Sequence, residues 1–506
     1  MPWWSILLIC VGVFLVLVAI YDVTQKKHAI LRNFPVVGHL RYMLEWVGPE
    51  LRQYIVTDNN EELPFSRDER RWVYATAKKQ NPYFGFGTDD RIDAPGHVIL
   101  KHAAFPVADT DHEIAVPAPK VLGEWRNREH AFRPTSIVNI SAMSFGSLSG
   151  PAVQALNEGA RMSGCLHNTG EGGISDHHRH GGELIFQVGT GYFGARNPDG
   201  TFSLDRLVAN AATADVKAIE IKLSQGAKPG LGGLLPGAKV TAEIAKAREV
   251  EVGVTVASPS GHSAFHDIAG MVELIERVAD ATGLPVGIKA AVGQMGFWHE
   301  LAEHMTDTDR GPDFIPIDGG EGGTGAGPLV FTDHVAYPFR TAMARVYQVF
   351  VDAGLNQQIT FMGGGKLGYT ENAMVALALG CDILNVAREP MMALGCIQAQ
   401  KCHTGHCPTG VATQNKRLVR GLDPTSKAVR TANYISGLRT DMLKVARAGG
   451  VTHPALLPPD AVEIVETTGR LVPVADHFEL KVPGPRYADS DIAALEALMT
   501  AGAPTP

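Results

Sequence analysis

The sequence predicts an α/β fold: a (β/α)8 TIM barrel with an N-terminal transmembrane helix and an N-terminal extension. Three observations predict it. From about residue 130, short apolar runs alternate with segments of helical composition. Those runs end in Gly, Ser, Asn or a charged residue. The chain also opens with an uncharged stretch of about 19 residues, enough to cross a bilayer as a helix. Near-continuous apolar strands separated by helices mean a parallel sheet covered by helices, and eight repeats over roughly 250 residues close into a barrel.

The runs lie at 137–143, 166–170, 184–189, 218–224, 254–259, 285–290, 314–319, 359–364 and 383–388. That is one more than a barrel holds, so 254–259 is expected outside it, or not to be a strand. PAVQALNEGARMS, MVELIERVADAT and TENAMVALALG read as helices between them. The expected organisation is a transmembrane anchor at 1–25 and an extension at 26–129 packing on the barrel. The barrel follows at 130–455 with a cysteine loop at 395–410, then a C-terminal tail at 456–506.

A hydrophobic share of 45% and a charged share of 19% suit a well-buried core. A net charge of −8 with no basic stripe argues against a nucleic-acid partner. Cys10, Cys165 and Cys381 lie in or beside apolar runs and no framework of paired cysteines exists, which points to a reducing compartment. In PWWSILLICVGVFLVLVAIY, Trp3, Trp4 and Tyr21 flank the apolar run. Lys26, Lys27, Arg32 and Arg41 follow it and no Lys or Arg precedes it, so a single-pass anchor would leave the bulk of the chain in the cytoplasm. A cleaved signal peptide would want a basic leader, a shorter apolar stretch and a small-x-small site, none of which is evident.

Chemistry in such barrels gathers where strands end. FMGGGKLGYTEN and LNVAREP place glycine-rich turns before helix N-termini, which suits a phosphate of FMN or of a sugar phosphate, or else makes two tight turns. Lys222 in IKLSQGAKPGLGG alternates with apolar neighbours and points into the barrel or toward its mouth. There it either faces the negative end of a reduced flavin or forms a salt bridge, for example with Glu220 or Asp318. Lys228 and Lys239 lie in glycine-rich loop, available to an acidic substrate or to solvent. Glu171, Asp176, His177, His178 and His180 cluster in HNTGEGGISDHHRH, but without zinc-ligand spacing they read as exposed loop residues. Cys396, Cys402 and Cys407 in GCIQAQKCHTGHCPTG leave two readings. One is a zinc site completed by His403 or His406; the other is a three-thiolate iron–sulfur cluster.

Over residues 130–415 the sequence resembles the synthase domain of glutamate synthase. The resemblance rests on SAMSFGSLSGPA, NTGEGG, IKLSQGAKPGLGGLLPGAKV, GGTGAGP, GGGKLG and GCIQAQKCHTGHCPTGVATQ. It implies an FMN-containing barrel that reduces 2-iminoglutarate, formed from 2-oxoglutarate and ammonia, to glutamate. Ala142, Met143, Ser144, Gln187 and Lys222 would contact the isoalloxazine and ribityl part of FMN. Gly363, Gly364, Gly365, Ala387 and Arg388 would surround its phosphate, and Gly323 and Thr324 of the GGTGAGP loop would join the cofactor site. Lys228 and Arg248 match residues that hold the two carboxylates of 2-oxoglutarate, Gln225 matches another residue there, and Glu171 matches a glutamate at the ammonia entrance. Cys396, Cys402 and Cys407 carry the spacing of a 3Fe-4S cluster.

There are departures. MPWW and an apolar span stand where an amidotransferase domain would begin, and about 90 residues follow position 415, too few for the family's β-helix domain. Leu234 replaces a glutamine near the keto acid, Glu321 replaces an aspartate, and VASPSGHSAFHD differs from the family's loop. The expected function is an oxidoreductase acting on CH–NH2 donors, making glutamate or a related amino acid from a 2-oxo acid and an amine donor. An alternative is a flavin oxidoreductase or N-substituted-glutamate synthase subunit using another amine or imine. A third is a non-catalytic redox relay or scaffold. Ammonia would be free or come from an amidotransferase partner subunit. No dinucleotide fingerprint lies in a strand–turn–helix context, so a ferredoxin or membrane-associated donor is expected to supply electrons.

Overall fold

The structure, a computed structural model, describes residues 2–81, 83, 85–108, 115–483 and 485–501. The chain forms two compact units, residues 1–68 and 69–506.

The first unit starts with helix α1, Trp3–Thr24. Its 22 residues rise about 33 Å, the thickness of a bilayer core, and its apolar side chains are exposed. Two shorter helices follow, α2 at Ala29–Asn33 and α3 at Gly38–Leu51.

The second unit is built on a closed barrel of eight parallel strands. They are β1 (Val138–Ile140), β2 (His167–Asn168), β3 (Leu184–Val188), β4 (Val216–Lys222), β5 (Val286–Ala291), β6 (Phe314–Asp318), β7 (Thr360–Gly364) and β8 (Ile383–Val386). Each pairs with the next, and β8 closes on β1 through Leu384↔Val138 and Val386↔Ile140. The strands fall within eight of the nine apolar runs or overlap them. The ninth lies outside the barrel, as expected: Val256–Ala257 pairs antiparallel with Leu234–Leu235.

Helices cover the wall: α4 (Gly150–Ser163), α5 (Leu204–Ala211), α6 (Ala242–Arg248), α7 (Ile268–Thr282), α8 (Gly296–Thr308), α9 (Phe339–Asp352), α10 (Thr370–Ala378), α11 (Arg388–Leu394) and α12 (Pro424–Ala448). The three helical stretches anticipated from sequence correspond to α4, α7 and α10. The ends of α4 follow from its sequence: the Ser149 side chain accepts the Ala152 N–H, and Gly164 terminates it in the left-handed region at φ 64°. The strict strand–helix alternation fails once. Between β2 and β3 the chain makes only a single 3-10 turn, Asp176–His178, because only a short glycine-rich segment separates the two strands.

The floor of the barrel is apolar. Ala118 and Leu122, from a segment preceding β1, pack with Phe132 against Leu166, Ile185, Ala218, Phe314, Met362 and Ile383. Away from the barrel, Val98–Leu100 joins Val462–Val465 and Leu471–Pro473 in an antiparallel sheet.

The floor admits no extra volume at Gly287 of β5, paired with Phe314 of β6. A Cβ there would lie 2.4 Å from both the Phe314 ring and its carbonyl oxygen. Gly287→Ala is therefore expected to cost about 1–3 kcal/mol by overpacking. A lowered midpoint in denaturant unfolding checks this, and an unchanged midpoint contradicts it.

Candidate active site

The C-terminal ends of β2 to β5 bring one group of charged side chains together. Lys222, last residue of β4, donates to Gln225 Oε1 at 2.7 Å and lies 3.0 Å from Glu171 Oε2 in the loop after β2. The salt-bridge partner of Lys222 is thus Glu171, and neither Glu220 nor Asp318 as the sequence suggested. Glu220 points into the barrel, accepting from Asn168 Nδ2 at 3.0 Å and from the Gln187 amide. Asp318 accepts the backbone N–H of Gly226 at 2.9 Å and so ties the loop after β4 to the end of β6.

A residue that the sequence reading missed completes the group. Lys289 of β5 pairs in register with Lys222 of β4, and both side chains are buried. Strand neighbours in register share a face, so the two lysine side chains stand side by side. The signal was available: Lys289 ends an apolar run in PVGIKA as Lys222 does in AIEIKLS.

Burial pulls the Lys222 ammonium below its ordinary range; Glu171 opposes that, while Lys289 and Lys228 add to it. Desolvation pushes the Glu171 carboxyl up, but Lys222, Lys228 and Arg248 together outweigh it and hold it below the usual carboxylate range. Glu171 is therefore an anion at neutral pH, surrounded by cations.

Arg248, at the end of α6, is buried. Its Nη2 donates to the Phe145 carbonyl at 3.2 Å and its guanidinium lies 5.1 Å from the Phe193 ring centre. Its Nε is buried without a partner. Lys228 is half-buried in the loop after β4, close enough to act on both Glu171 and Lys222. His262, from the divergent VASPSGHSAFHD loop, is also buried here. It bonds the Lys222 carbonyl at 2.9 Å and Tyr192 Oη at 3.1 Å, which pins that loop to the end of β4. Nothing in the sequence pattern marked it.

Ala142, Met143 and Ser144 form the loop directly after β1, with Met143 and Ser144 buried and Ser144 Oγ 2.9 Å from Ser147 Oγ. Gln187 is buried on β3 through its bond to Glu220.

A second group forms after β6, β7 and β8. Gly363 and Gly364 end β7, and Gly365 turns the chain at φ 137°, a conformation open to glycine. A Cβ on Gly363 would meet the Phe339 ring, Leu367 and Cys381 at 2.7–2.9 Å, so only glycine fits that wall. Ala387 caps α11 and Arg388 begins it. The Arg388 guanidinium donates to the Glu321 carbonyl and its stem lies against Gly323. Thr324 Oγ1 donates to the Ala326 carbonyl at 3.1 Å. Glu321 Oε2 accepts the Phe339 N–H at 2.7 Å, the local use made of this departure.

In the cysteine loop, the Cys396 carbonyl accepts from Tyr74 Oη at 2.8 Å and the Cys402 carbonyl from Lys239 Nζ at 3.4 Å. All three thiols are free. Burial pushes the Cys396 thiol up to about 11, reinforced by Cys402 and Cys407, so the three sulfurs feel one another. At Cys407 burial is outweighed by backbone N–H groups of Ala412, Thr409 and Val411 and by the Thr409 hydroxyl, which favour the thiolate. Among the described residues no three His, Cys, Asp or Glu side chains are grouped to hold a metal ion. The histidines after β2 are not the exposed loop residues expected: His178 is buried 5.5 Å from the His167 ring and accepts the Ser175 N–H.

The conserved region of glutamate synthase matches residues 109–452. The glutamate synthase large subunit-like protein YerD of Bacillus subtilis is 38% identical over 472 residues, 86% of this chain and 89% of that one. The archaeal-type glutamate synthase (NADPH) of Thermotoga neapolitana is 36% identical over 318 residues, 62% of this chain, which spans 59% of that relative's length. Among solved structures, a flavocytochrome b2 with sulfite bound aligns over 88% of this chain and 91% of its own at 15% identity and a TM-score of 0.45.

Replacing Glu171 by Gln removes the carboxylate that holds the Lys222 ammonium against burial and Lys289. Lys222 is expected to lose its proton at lower pH than in the parent, read from the pH dependence of lysine labelling by an amine reagent. The depressed Glu171 carboxyl contributes stability that is complete above the ordinary carboxylate pKa and lost as pH falls through its folded value. Glu171→Gln should therefore abolish that part of the acid-side stability loss. At neutral pH the uncompensated ammonium should cost about 3–5 kcal/mol.

Proposed function

The chain belongs to the glutamate synthase family, and from that premise we propose that it is an oxidoreductase that reductively forms glutamate, or a related amino acid, from a 2-oxo acid and an amine donor. The observation that carries this reading is the group at the barrel mouth. Lys222, Lys228 and Arg248 act on one carboxylate, Glu171, and Lys289 stands beside Lys222 on the next strand; Lys222, Lys289 and Arg248 are buried, Glu171 and Lys228 half-buried. A surplus of buried positive charge wants an anionic ligand, and a dicarboxylate beside an anionic cofactor supplies it.

The residues fit FMN. The glycine-walled turn at Gly363, Gly364 and Gly365, with Ala387 and Arg388, would hold the phosphate; Gly323 and Thr324 lie on the neighbouring loop. Ala142, Met143, Ser144, Gln187, Lys222 and Lys289 would face the ring. Bound FMN would supply hydride transfer to an imine carbon.

The chain's own part is binding, charge and proton placement. Lys222 and Lys289 hold positive charge where the electron-rich edge of the ring would rest. Arg248 and Lys228 would anchor the two carboxylates of 2-oxoglutarate, the buried Arg248 Nε being one donor still to be used. Glu171, kept anionic, would receive an ammonium ion and hold its charge beside the carbonyl; Gln225, fixed by Lys222, would orient the keto acid. Cys396, Cys402 and Cys407 would hold a 3Fe-4S cluster supplying single electrons, the N–H groups around Cys407 stabilising a thiolate ligand. A ferredoxin-like donor, and either free ammonia or an amidotransferase partner subunit, would complete the system. Helix α1 would anchor the protein as a single span, with Lys26, Lys27, Arg32 and Arg41 on the cytoplasmic side.

The purified full chain is expected to show flavin absorption, release FMN on denaturation and contain iron. After anaerobic reduction, 2-oxoglutarate with ammonium should reoxidise the flavin and yield glutamate. A colourless protein, or reoxidation indifferent to every 2-oxo acid tried, would overturn the reading. Lys228→Ala should raise the KM for the 2-oxo acid about 10- to 100-fold, the loss of one charge-assisted hydrogen bond. Cys407→Ser should lose iron while keeping FMN, separating the two cofactor sites.

A further inference from the structure

Helix α3 is amphipathic, with its apolar face uncovered. Leu40, Met43, Leu44, Val47 and Leu51 recur at helical spacing, and a rotation of about 100° per residue gathers them on one side. Leu40, Met43 and Leu44 are each more than half exposed. Arg41 and Glu45 occupy the opposite side, joined by an i,i+4 ion pair at 2.8 Å, and Arg52 continues that side beyond the helix. Tyr54, Ile55 and Val56 add exposed apolar surface beyond α3, while Trp46 is exposed about 120° around the helix from the stripe.

The start of α3 is held to the end of α1 by a fully buried carboxylate. Asp22, in the last turn of α1, accepts the Val36 N–H at 2.8 Å and bonds His39 Nε2 at 2.9 and 3.0 Å. Those bonds fix the first turn of α3 within a few ångströms of the level where α1 ends. If α1 spans a bilayer, that level is the headgroup region. The 14 residues of α3 rise about 21 Å and run on into a five-residue π-helical turn, Arg52–Val56, but Arg41, Glu45, Glu50 and Arg52 interrupt any apolar stretch long enough to cross the membrane. Its stripe of Leu, Met and Val, with the charged residues Arg41, Glu45, Glu50 and Arg52 off that stripe, is the pattern of a helix lying in the interface. Lys26, Lys27 and Arg32, between α1 and α3, favour anionic headgroups.

We infer that α3 lies in the plane of the bilayer surface, its Leu40–Met43–Leu44–Val47–Leu51 face inserted at the acyl boundary of an anionic phospholipid membrane. The inference rests on the spanning reading of α1 and adds a second lipid contact to it. The Asp22–His39–Val36 bonds then act as a bracket that turns the chain from along the membrane normal to along its surface.

The test uses the full chain in liposomes of phosphatidylcholine with phosphatidylglycerol. A benzophenone-bearing amino acid is placed in turn at Leu15 of α1, at Leu44 or Met43 on the apolar face of α3, and at Arg41 on its polar face. Lipid adducts at Leu15, Leu44 and Met43, with their loss at Arg41, support the inference. Lipid adducts at Leu15 but protein adducts at Leu44 and Met43, whether to the same chain or to a second copy, overturn it and leave α1 as a span. No lipid adduct at either helix removes both readings together.

Discussion

Two buried lysines and one half-buried carboxylate at the end of a closed barrel constrain what the rest of the site can be. Lys222 and Lys289 are fixed side by side by the register of β4 and β5, and barrel closure leaves neither strand free to turn its lysine outward. Glu171 answers one charge and not both. Buried charges are costly when unpaired, so such an arrangement is tolerated where a ligand completes it. The loops around it serve the same end. His262 pins one loop to the Lys222 carbonyl, Asp318 pins another to β6, and Arg248 reaches over from α6.

The apolar floor and the polar mouth divide the barrel's work. Phe132 and Leu122 seal the lower end against Phe314 and Met362, where the strand backbones approach closely enough that Gly287 has no space for a methyl group. A rigid floor holds the strand ends in place, and the strand ends carry the chemistry. The glycines at the end of β7 play the complementary part at the mouth: Gly363 has no room for a side chain and Gly365 turns the chain at φ 137°.

Glu321 and the loop containing His262 are departures from the family pattern, and each has a structural use here: one accepts the Phe339 N–H, the other braces β4. Leu234, also a departure, lies in the short antiparallel pair of strands outside the barrel and is mostly exposed. These changes leave the closed barrel intact.

Much was legible in the sequence because it depends on short-range patterns. Apolar runs of strand length, helix composition between them and glycine-rich run ends determined the barrel, down to the run at 254–259 standing outside it. The motifs through SAMSFGS and IKLSQGAKPG identified the family, and their residues do converge on the mouth. Only the tertiary structure decided the pairing of charges. Lys222 has Glu220 two residues back on the same face of its own strand, but Glu220 is occupied by Asn168 and Gln187, and the loop after β2 delivers Glu171 instead. Lys289 carried the same local signal as Lys222, yet its significance came from register, a relation between strands 67 residues apart in the chain that no local window contains. The missing helix between β2 and β3, the burial of His178 and the bracket at Asp22 have the same origin. Each is a contact whose energy depends on what lies across a packed interface, and composition leaves that open.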